Sequence, residues 1–181
     1  MAPGAAPGAA SYPHGLVDFD LSHTFAAAPD DLAEALLDEK FQHSLDDIGS
    51  LEKRHLLSQE EADDGTVIRR TRCVLGIELN DIARRFIGKG EPAWVEEAIW
   101  YPDRMQWEWT IHPEMAANML SAAGTISIEG DDDESERIVS GTVQVTGVPL
   151  YGGKVEGWIV SGIESAYDEE ALRLAEWLSP D

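Results

Sequence analysis

Of two neighbouring glutamates in this sequence, Glu96 and Glu97, one is expected to point toward an apolar interior. Two segments of alternating apolar residues are joined by a short turn at 101–104. A turn of two or four residues places Glu96 on the face that carries Trp107 and Trp109. A turn of three or five residues places Glu97 there instead. Either register brings one carboxylate against indole rings, where its pKa is raised unless a cation pairs with it.

Arg69 is the cation that the same alternation offers to this glutamate. It shares one parity of its strand with Thr71 and Cys73. Arg70 and Arg72 occupy the other parity, which marks that face as the solvent side. A glutamate and an arginine inside a sheet predict a polar anchor for a bound molecule. The alternatives are an ion pair that serves only the fold and a glutamate at the rim in contact with water.

Two histidines fall on apparently inward positions of the first two strands. His23 lies on the face of the first strand that is expected to be buried. His55 lies with Leu51 and Leu57 on the face of the second strand that is expected to point inward. Histidines beside a buried carboxylate can move protons in a cyclase or a dehydratase. Each can equally be a core histidine that is hydrogen-bonded to the backbone.

Several kinds of chemistry are excluded by motifs that the sequence lacks. It has neither a histidine pair at helical spacing nor a carboxylate cluster at metal-binding spacing, so we expect no metal. Gly88, Lys89 and Gly90 are too few for a phosphate-binding loop, and no serine lies in a nucleophile elbow. We therefore expect no cofactor, and an enzyme only if the histidines act with the glutamate.

The composition excludes further partners. The chain has 13 Lys and Arg against 35 Asp and Glu, a net charge of −22, which disfavours nucleic acids and anionic membranes. Cys73 is its one cysteine, so no internal disulfide forms. This indicates either a reducing compartment or a fold that needs no disulfide, and we expect a cytoplasmic location. No apolar run reaches the roughly 18 residues of a membrane span, so no stable membrane insertion is expected.

Hydrophobic periodicity predicts one strand, a short helical pair, six more strands and a long last helix. The predicted strands are 16–25, 50–59, 66–79, 93–101, 105–112, 124–130 and 137–147. Helices are predicted within 30–47 and over 151–178, with a short covering helix near 80–90. Residues 1–15, rich in Ala, Pro and Gly, are expected to be a disordered leader before a single domain at 16–181.

This order and three sequence segments resemble a known superfamily. The segments are LSHTFAAAPDDLAEAL (21–36), VEEAIWYPDRMQWEW (95–109) and VEGWIVSGIESAYDEEALRLAEWL (155–178). They are similar to the START-like (SRPBCC) superfamily with its helix-grip fold, most closely to a domain-of-unknown-function family within it. The resemblance implies a seven-stranded curved antiparallel sheet around the last helix, with a hydrophobic cavity between them. It also implies that the first two strands pair, which makes His23 and His55 neighbours.

The residues expected to bind a ligand follow from strand alternation and from the apolar stripe of the last helix. Trp107 and Trp109 are expected to form the floor of the cavity. The full set is Trp107, Trp109, Ile111, Cys73, Ile126, Ile128, Val143, Val145, Glu96, Glu97, Arg69, His23, His55, Val155, Ile159 and Ile163. The cavity is expected to be either open or filled by these side chains.

Three functions fit these observations. The favoured one is non-catalytic binding or carriage of a small hydrophobic or amphiphilic molecule, lipid-like or polyketide-like, in the cavity. One alternative is a protein-interaction module with a filled core, whose partner is unknown. The other is a cyclase or dehydratase that uses His23, His55 and the inward glutamate.

Overall fold

The computed structural model describes residues 16–48, 51–75, 92–115, 117–146 and 152–179. The predicted leader at 1–15 and the predicted covering helix near 80–90 lie outside these residues. The elements are β1 (Leu16–Phe25), α1 (Pro29–Leu37), α2 (Glu39–Ser44), β2 (Leu51–Glu61), β3 (Val67–Leu75), β4 (Ala93–Tyr101), β5 (Gln106–Pro113), β6 (Leu120–Gly130), β7 (Ser135–Val145) and α3 (Gly152–Leu178). The predicted α+β order is therefore confirmed.

The seven strands form one curved antiparallel sheet in the order β1-β7-β6-β5-β4-β3-β2. Sheet neighbours follow chain order from β2 to β7, whereas α1 and α2 carry the chain from β1 to the far edge. β1 pairs with β7 along its whole length. The prediction that β1 and β2 pair is wrong, because these strands form opposite edges of the sheet. His23 and His55 are consequently not neighbours.

α1 and α2 form the corner that connects β1, at one edge of the sheet, to β2 at the other edge. Pro29 lies in the first turn of α1 with Asp30 and Asp31, where a fixed φ and negative charge suit the start of a helix. α2 is capped by Asp38, whose carboxylate accepts a hydrogen bond from the Lys40 amide at 2.7 Å. α1 packs against α3, β6 and β7, and α2 packs against β2.

The long helix α3 packs against β1, β7 and α1. Val160, Ala171 and Leu174 are buried in these contacts. Glu156 ties the start of α3 to the end of β7, because its Oε1 accepts a hydrogen bond from the Val145 amide at 2.8 Å. None of the helices in the described ranges has the length and hydropathy needed to cross a bilayer.

A close contact between Trp109 and two glycines shapes the inner face of the sheet. Trp109 on β5 pairs with Gly124 on β6, which pairs with Gly141 on β7. A Cβ built on Gly124 would lie 2.6 Å from Cζ2 of Trp109, and a Cβ on Gly141 would lie closer still. Carbon atoms do not approach to such distances. Both glycines are therefore required for the indole to occupy this position.

Candidate ligand cavity

A cavity of about 190 Å³ lies between the inner face of the sheet and α3. Most of its lining is apolar, as expected for a small-molecule site. Besides Cys73, the lining includes six residues with ionisable or hydroxyl groups. They are Arg54, Arg69, Thr71, Glu96, Tyr167 and Glu170. The cavity therefore combines apolar walls with a small polar group of residues.

Most of the residues predicted to bind a ligand lie in the wall of this cavity. They are Trp107, Trp109, Ile111, Cys73, Ile126, Val145, Glu96, Arg69, Ile159 and Ile163. The alternation of the strands and the stripe of α3 thus identified the inner surface. That these side chains bind a ligand stays a prediction.

Two predicted wall residues instead lie in the packed core. Ile128 is 4% exposed and Val143 is fully buried, and neither borders the cavity. The physical reason is that α1 packs on β6 and β7, and α3 packs on β7, so helices rather than the cavity cover part of the inner face of these strands. The side chain of Val155 lies outside the described residues.

The turn between β4 and β5 resolves the choice between the two glutamates. It has four residues, 102–105, because Tyr101 pairs with Gln106. This register places Glu96 on the inner face. Glu97 instead lies on the outer face, where it forms an ion pair with Arg70 at 2.8 Å. The expectation that Glu97 binds a ligand is corrected accordingly.

His55 is exposed rather than inward, which corrects the prediction for this residue. The register of β2 against β3 shifts at 51–53 and again at 56–58. Each bulge adds a residue on one strand and so reverses which side chains face inward. Leu51 lines the cavity as predicted, but after the first bulge Arg54 is the next residue to do so.

His23 lies among paired charges and not in the cavity wall, which corrects the prediction for this residue. Its Nε2 is 2.9 Å from Oδ1 of Asp168, and its Nδ1 is 3.3 Å from Nη2 of Arg137. Arg137 is fully buried, forms an ion pair with Glu170 and donates a hydrogen bond to the Tyr167 carbonyl at 3.0 Å. We call Arg137, His23, Asp168 and Glu170 the Arg137 cluster.

Glu96 borders the cavity, and none of the described residues is a close partner of its carboxyl group. It pairs through the backbone with Thr71 of β3, but no described side chain or amide forms a hydrogen bond or a close ion pair with its carboxyl group. Burial raises the pKa of the Glu96 carboxyl above its ordinary value. The charges of Arg69 and Arg54 lower this pKa, and the charge of Glu170 raises it.

Two arginines hold positive charge in the same part of the cavity. Arg69 donates from Nη1 to the Leu36 carbonyl at 2.8 Å, and its guanidinium carbon lies 4.3 Å from the centre of the Trp107 ring. Arg54 donates to the carbonyl and side-chain oxygens of Gln42, at 2.8 and 2.6 Å. The Gln42 amide donates in turn to the Leu36 carbonyl at 2.8 Å. The α1–α2 corner thus fixes both guanidinium groups.

α3 contributes Tyr167 and Glu170 from the opposite wall. Burial raises the pKa of the Tyr167 phenol well above its ordinary value, and the charges of Glu96 and Glu170 raise it further. Its hydroxyl therefore keeps its proton at neutral pH and can donate a hydrogen bond. Gly162 and Ala166 also line the cavity from α3, and their small size leaves part of its volume open.

Cys73 is poorly suited to act as a nucleophile. Burial raises the pKa of its thiol to about 12, and Glu96 contributes in the same direction. The reactive thiolate is therefore a negligible fraction at neutral pH. Within the described part of the chain, no group of three His, Cys, Asp or Glu side chains could hold a metal ion.

Arg54, Tyr167 and Glu170 line the cavity although they were not predicted to do so. The bulge in β2 concealed Arg54, because simple alternation assigns that residue to the outer face. Tyr167 and Glu170 follow Ile163 at spacings of four and seven residues, so they continue the same face of the helix. The helical period was therefore a signal that could have identified both residues.

The fold is shared with solved structures of low sequence identity. A Thermus thermophilus protein, TTHA0849, has a TM-score of 0.64 at 16% identity, over 90% of this chain and 100% of its own. The Zhui aromatase/cyclase from Streptomyces sp. R1128 has a TM-score of 0.61 at 12% identity, over 90% of this chain and 93% of its own. The third structure is a Thalictrum flavum norcoclaurine synthase mutant in complex with a transition-state analogue. It has a TM-score of 0.61 at 16% identity, over 91% of this chain and 98% of its own.

Sequence comparison identifies the family. No curated protein matches the chain. The family model described as protein of unknown function (DUF2505) matches residues 20–178, which include all the described strands from β2 onward and the polar residues of the cavity. A START superfamily protein from Mycobacterium smegmatis shares the fold, with a TM-score of 0.58 at 16% identity over 90% of this chain and 99% of its own. The chain therefore belongs to the DUF2505 family, and it has the helix-grip fold that it shares with these solved structures.

Proposed function

We propose that this protein binds a small, largely apolar molecule in the cavity between the sheet and α3, without chemical conversion. The observation that carries the proposal is the cavity itself, about 190 Å³ of space bordered mainly by apolar side chains. A folded chain gains dispersion contacts and hydrophobic stabilisation by filling such a space, so an open one favours a ligand. The alternative of an interaction module with a filled core does not account for this volume.

The volume favours a compact ligand. An apolar cavity of roughly 150 Å³ accommodates one benzene molecule, so this cavity suits a body of one or two rings. The Zhui aromatase/cyclase and norcoclaurine synthase share the fold, and their names indicate that such a fold can hold small organic molecules.

Binding without conversion agrees with the chemistry of the lining. The cyclase hypothesis relied on His23 and His55, and neither ring borders the cavity. Cys73 keeps its proton at neutral pH because its pKa is raised to about 12. The lining therefore offers fixed polar contacts and lacks the histidine pair that the enzyme hypothesis required.

Equilibrium dialysis with naphthalene tests the proposal. We expect saturable binding to the wild-type protein, and a loss of roughly tenfold or more in affinity in Ala166→Leu, because the added side chain occupies the cavity. Ala175→Leu is the matched control, since Ala175 is exposed on the same helix and its substitution should leave binding unchanged. Absence of saturable binding to the wild-type protein would contradict the proposal.

A further inference from the structure

The polar groups of the cavity carry information about the ligand beyond its size. We call Glu96, Arg69, Arg54 and Tyr167 the polar end of the cavity. Neither the Glu96 carboxyl nor the Tyr167 hydroxyl forms a hydrogen bond with any described residue, although both border the cavity. Glu96 comes from β4 and Tyr167 from α3, so the two groups lie on opposite walls.

Unmet hydrogen-bonding capacity in an apolar site selects for a complementary ligand. A buried acceptor that loses its water and finds no donor is costly, whereas a ligand that supplies the donor avoids this cost. Glu96 accepts hydrogen bonds in either protonation state, and the protonated Tyr167 hydroxyl donates one. A ligand group that both donates and accepts therefore complements both side chains.

An ionised ligand of either sign meets a cost at this end of the cavity. Arg54 and Arg69 are cations, so they repel a bound cation. An anion would lose its water on entering, and both guanidinium groups already donate to protein oxygens, so neither is fully available to replace that water. A neutral group that donates and accepts avoids both costs, and a hydroxyl is the smallest such group.

We infer that the ligand is a neutral molecule of one or two rings with a hydroxyl group, which donates to Glu96 and accepts from Tyr167. This inference rests on the proposed function, because it assigns the ligand class of the same cavity. The apolar rings lie against Trp107 and Trp109, and the hydroxyl lies at the polar end. Glu96 is thus the residue that favours ligands with a hydroxyl group.

A matched series of probes tests the inference in the wild-type protein by equilibrium dialysis at pH 7. The probes are naphthalene, 2-naphthol, 2-methoxynaphthalene, 2-naphthoate and 2-naphthylmethylammonium. We expect 2-naphthol to bind roughly tenfold or more tightly than 2-methoxynaphthalene, which accepts but cannot donate a hydrogen bond. The anion and the cation should also bind more weakly than 2-naphthol. Equal affinities for 2-naphthol and 2-methoxynaphthalene would overturn the inference.

Two substitutions assign the preference to Glu96. In Glu96→Leu the ratio of the two affinities should fall to about one, while naphthalene binding persists. Glu97→Gln, which changes the adjacent outward-facing glutamate, should keep the wild-type ratio. An undiminished preference for 2-naphthol in Glu96→Leu would overturn the assignment. If Glu96→Leu does not fold, the wild-type series still decides the ligand class, and Tyr167→Phe should reduce the ratio severalfold.

The two proposals fail in different ways. If naphthalene and all its derivatives fail to bind, the proposed function is contradicted. If naphthalene binds and the hydroxyl brings no advantage, the cavity is a ligand site but the inference about its polar end is wrong.

Discussion

The Arg137 cluster and the polar end of the cavity both place charge inside the protein beside α3, but they differ in how that charge is satisfied. Arg137 contacts Glu170, His23 and the Tyr167 carbonyl, and His23 contacts Asp168. Glu96 has no such contact with any described residue. The charged groups of two regions that lie against the same helix therefore differ in how many partners they have, although Nε of Arg137 itself has no hydrogen-bond partner among the described residues.

This difference separates a structural role from a binding role. A buried charge with several partners holds elements together, and removing it leaves its partners uncompensated. Glu96 is partly buried and borders the cavity, so its carboxyl holds no elements together through hydrogen bonds with described residues, and its hydrogen-bonding capacity is available to a ligand. The presence of partners is thus a better guide to function than burial alone.

Removal of Arg137 should have the largest effect on stability. Arg137→Met keeps much of the side-chain volume but leaves Glu170 buried without its partner, which typically costs about 3–5 kcal/mol. Arg70→Met is the control, because Arg70 and Glu97 form a partly exposed pair on the outer face, worth about 0–1 kcal/mol. Urea unfolding of both variants measures the difference. Equal destabilisation by the two substitutions would contradict the structural role of the Arg137 cluster.

Gly141→Ala should have the next largest effect, because its new methyl group meets the Trp109 ring that forms the cavity floor. We expect a loss of about 1–3 kcal/mol in the free energy of unfolding, together with weaker naphthalene binding as the indole shifts. Gly157→Ala on α3 is the control, since nothing lies within 4 Å of the added carbon, and it should stabilise the protein by about 0.5–1 kcal/mol. A fully tolerated Gly141→Ala would show that the indole is not held by this contact.

Glu96→Gln should have the smallest effect, and this effect should depend on pH. The pKa of Glu96 is raised in the folded protein, so the folded state holds its proton to higher pH than the unfolded state does. The contribution of Glu96 to stability is therefore full below its ordinary pKa of 4.5 and is lost as the pH rises through the raised value. Arg69, Arg54 and Glu170 are the charges that act on it.

Urea unfolding of the wild type, Glu96→Gln and Glu97→Gln at several pH values measures this dependence. The wild type should lose stability relative to Glu96→Gln as the pH rises above 4.5. Glu97→Gln should not show this trend, because Glu97 is paired at the surface with Arg70. A wild type that gains stability relative to Glu96→Gln with rising pH would reverse the sign and indicate an ionised, well-paired Glu96.

The sequence predicted the elements of the fold and ten residues of the cavity wall, because both depend on periodicity. Alternation identified Trp107 and Trp109, and the helical stripe identified Ile159 and Ile163. These signals are local, since each arises within one strand or one helix. The inner surface of the sheet could therefore be predicted without knowledge of which strands are neighbours.

Other features could not be predicted because they depend on relations between elements. The bulges of β2 exposed His55 and turned Arg54 inward, and nothing in a run of residues marks where an extra residue enters a ladder. Alternation alone could not decide whether Glu96 or Glu97 faces inward, because the answer depends on the length of the turn between β4 and β5. The edge position of β1 separated His23 from His55, because the pairing of distant strands is a property of the whole sheet.

The bulges of β2 also bear on how the molecule behaves in crowded solution. β2 is an edge strand, and an unbroken edge of free amides and carbonyls is a template on which another chain can add a strand. Two irregularities within one edge, together with the exposed charges of Glu52 and Lys53, interrupt that template. We therefore expect the distortion that brings Arg54 to the cavity also to disfavour self-association through this edge.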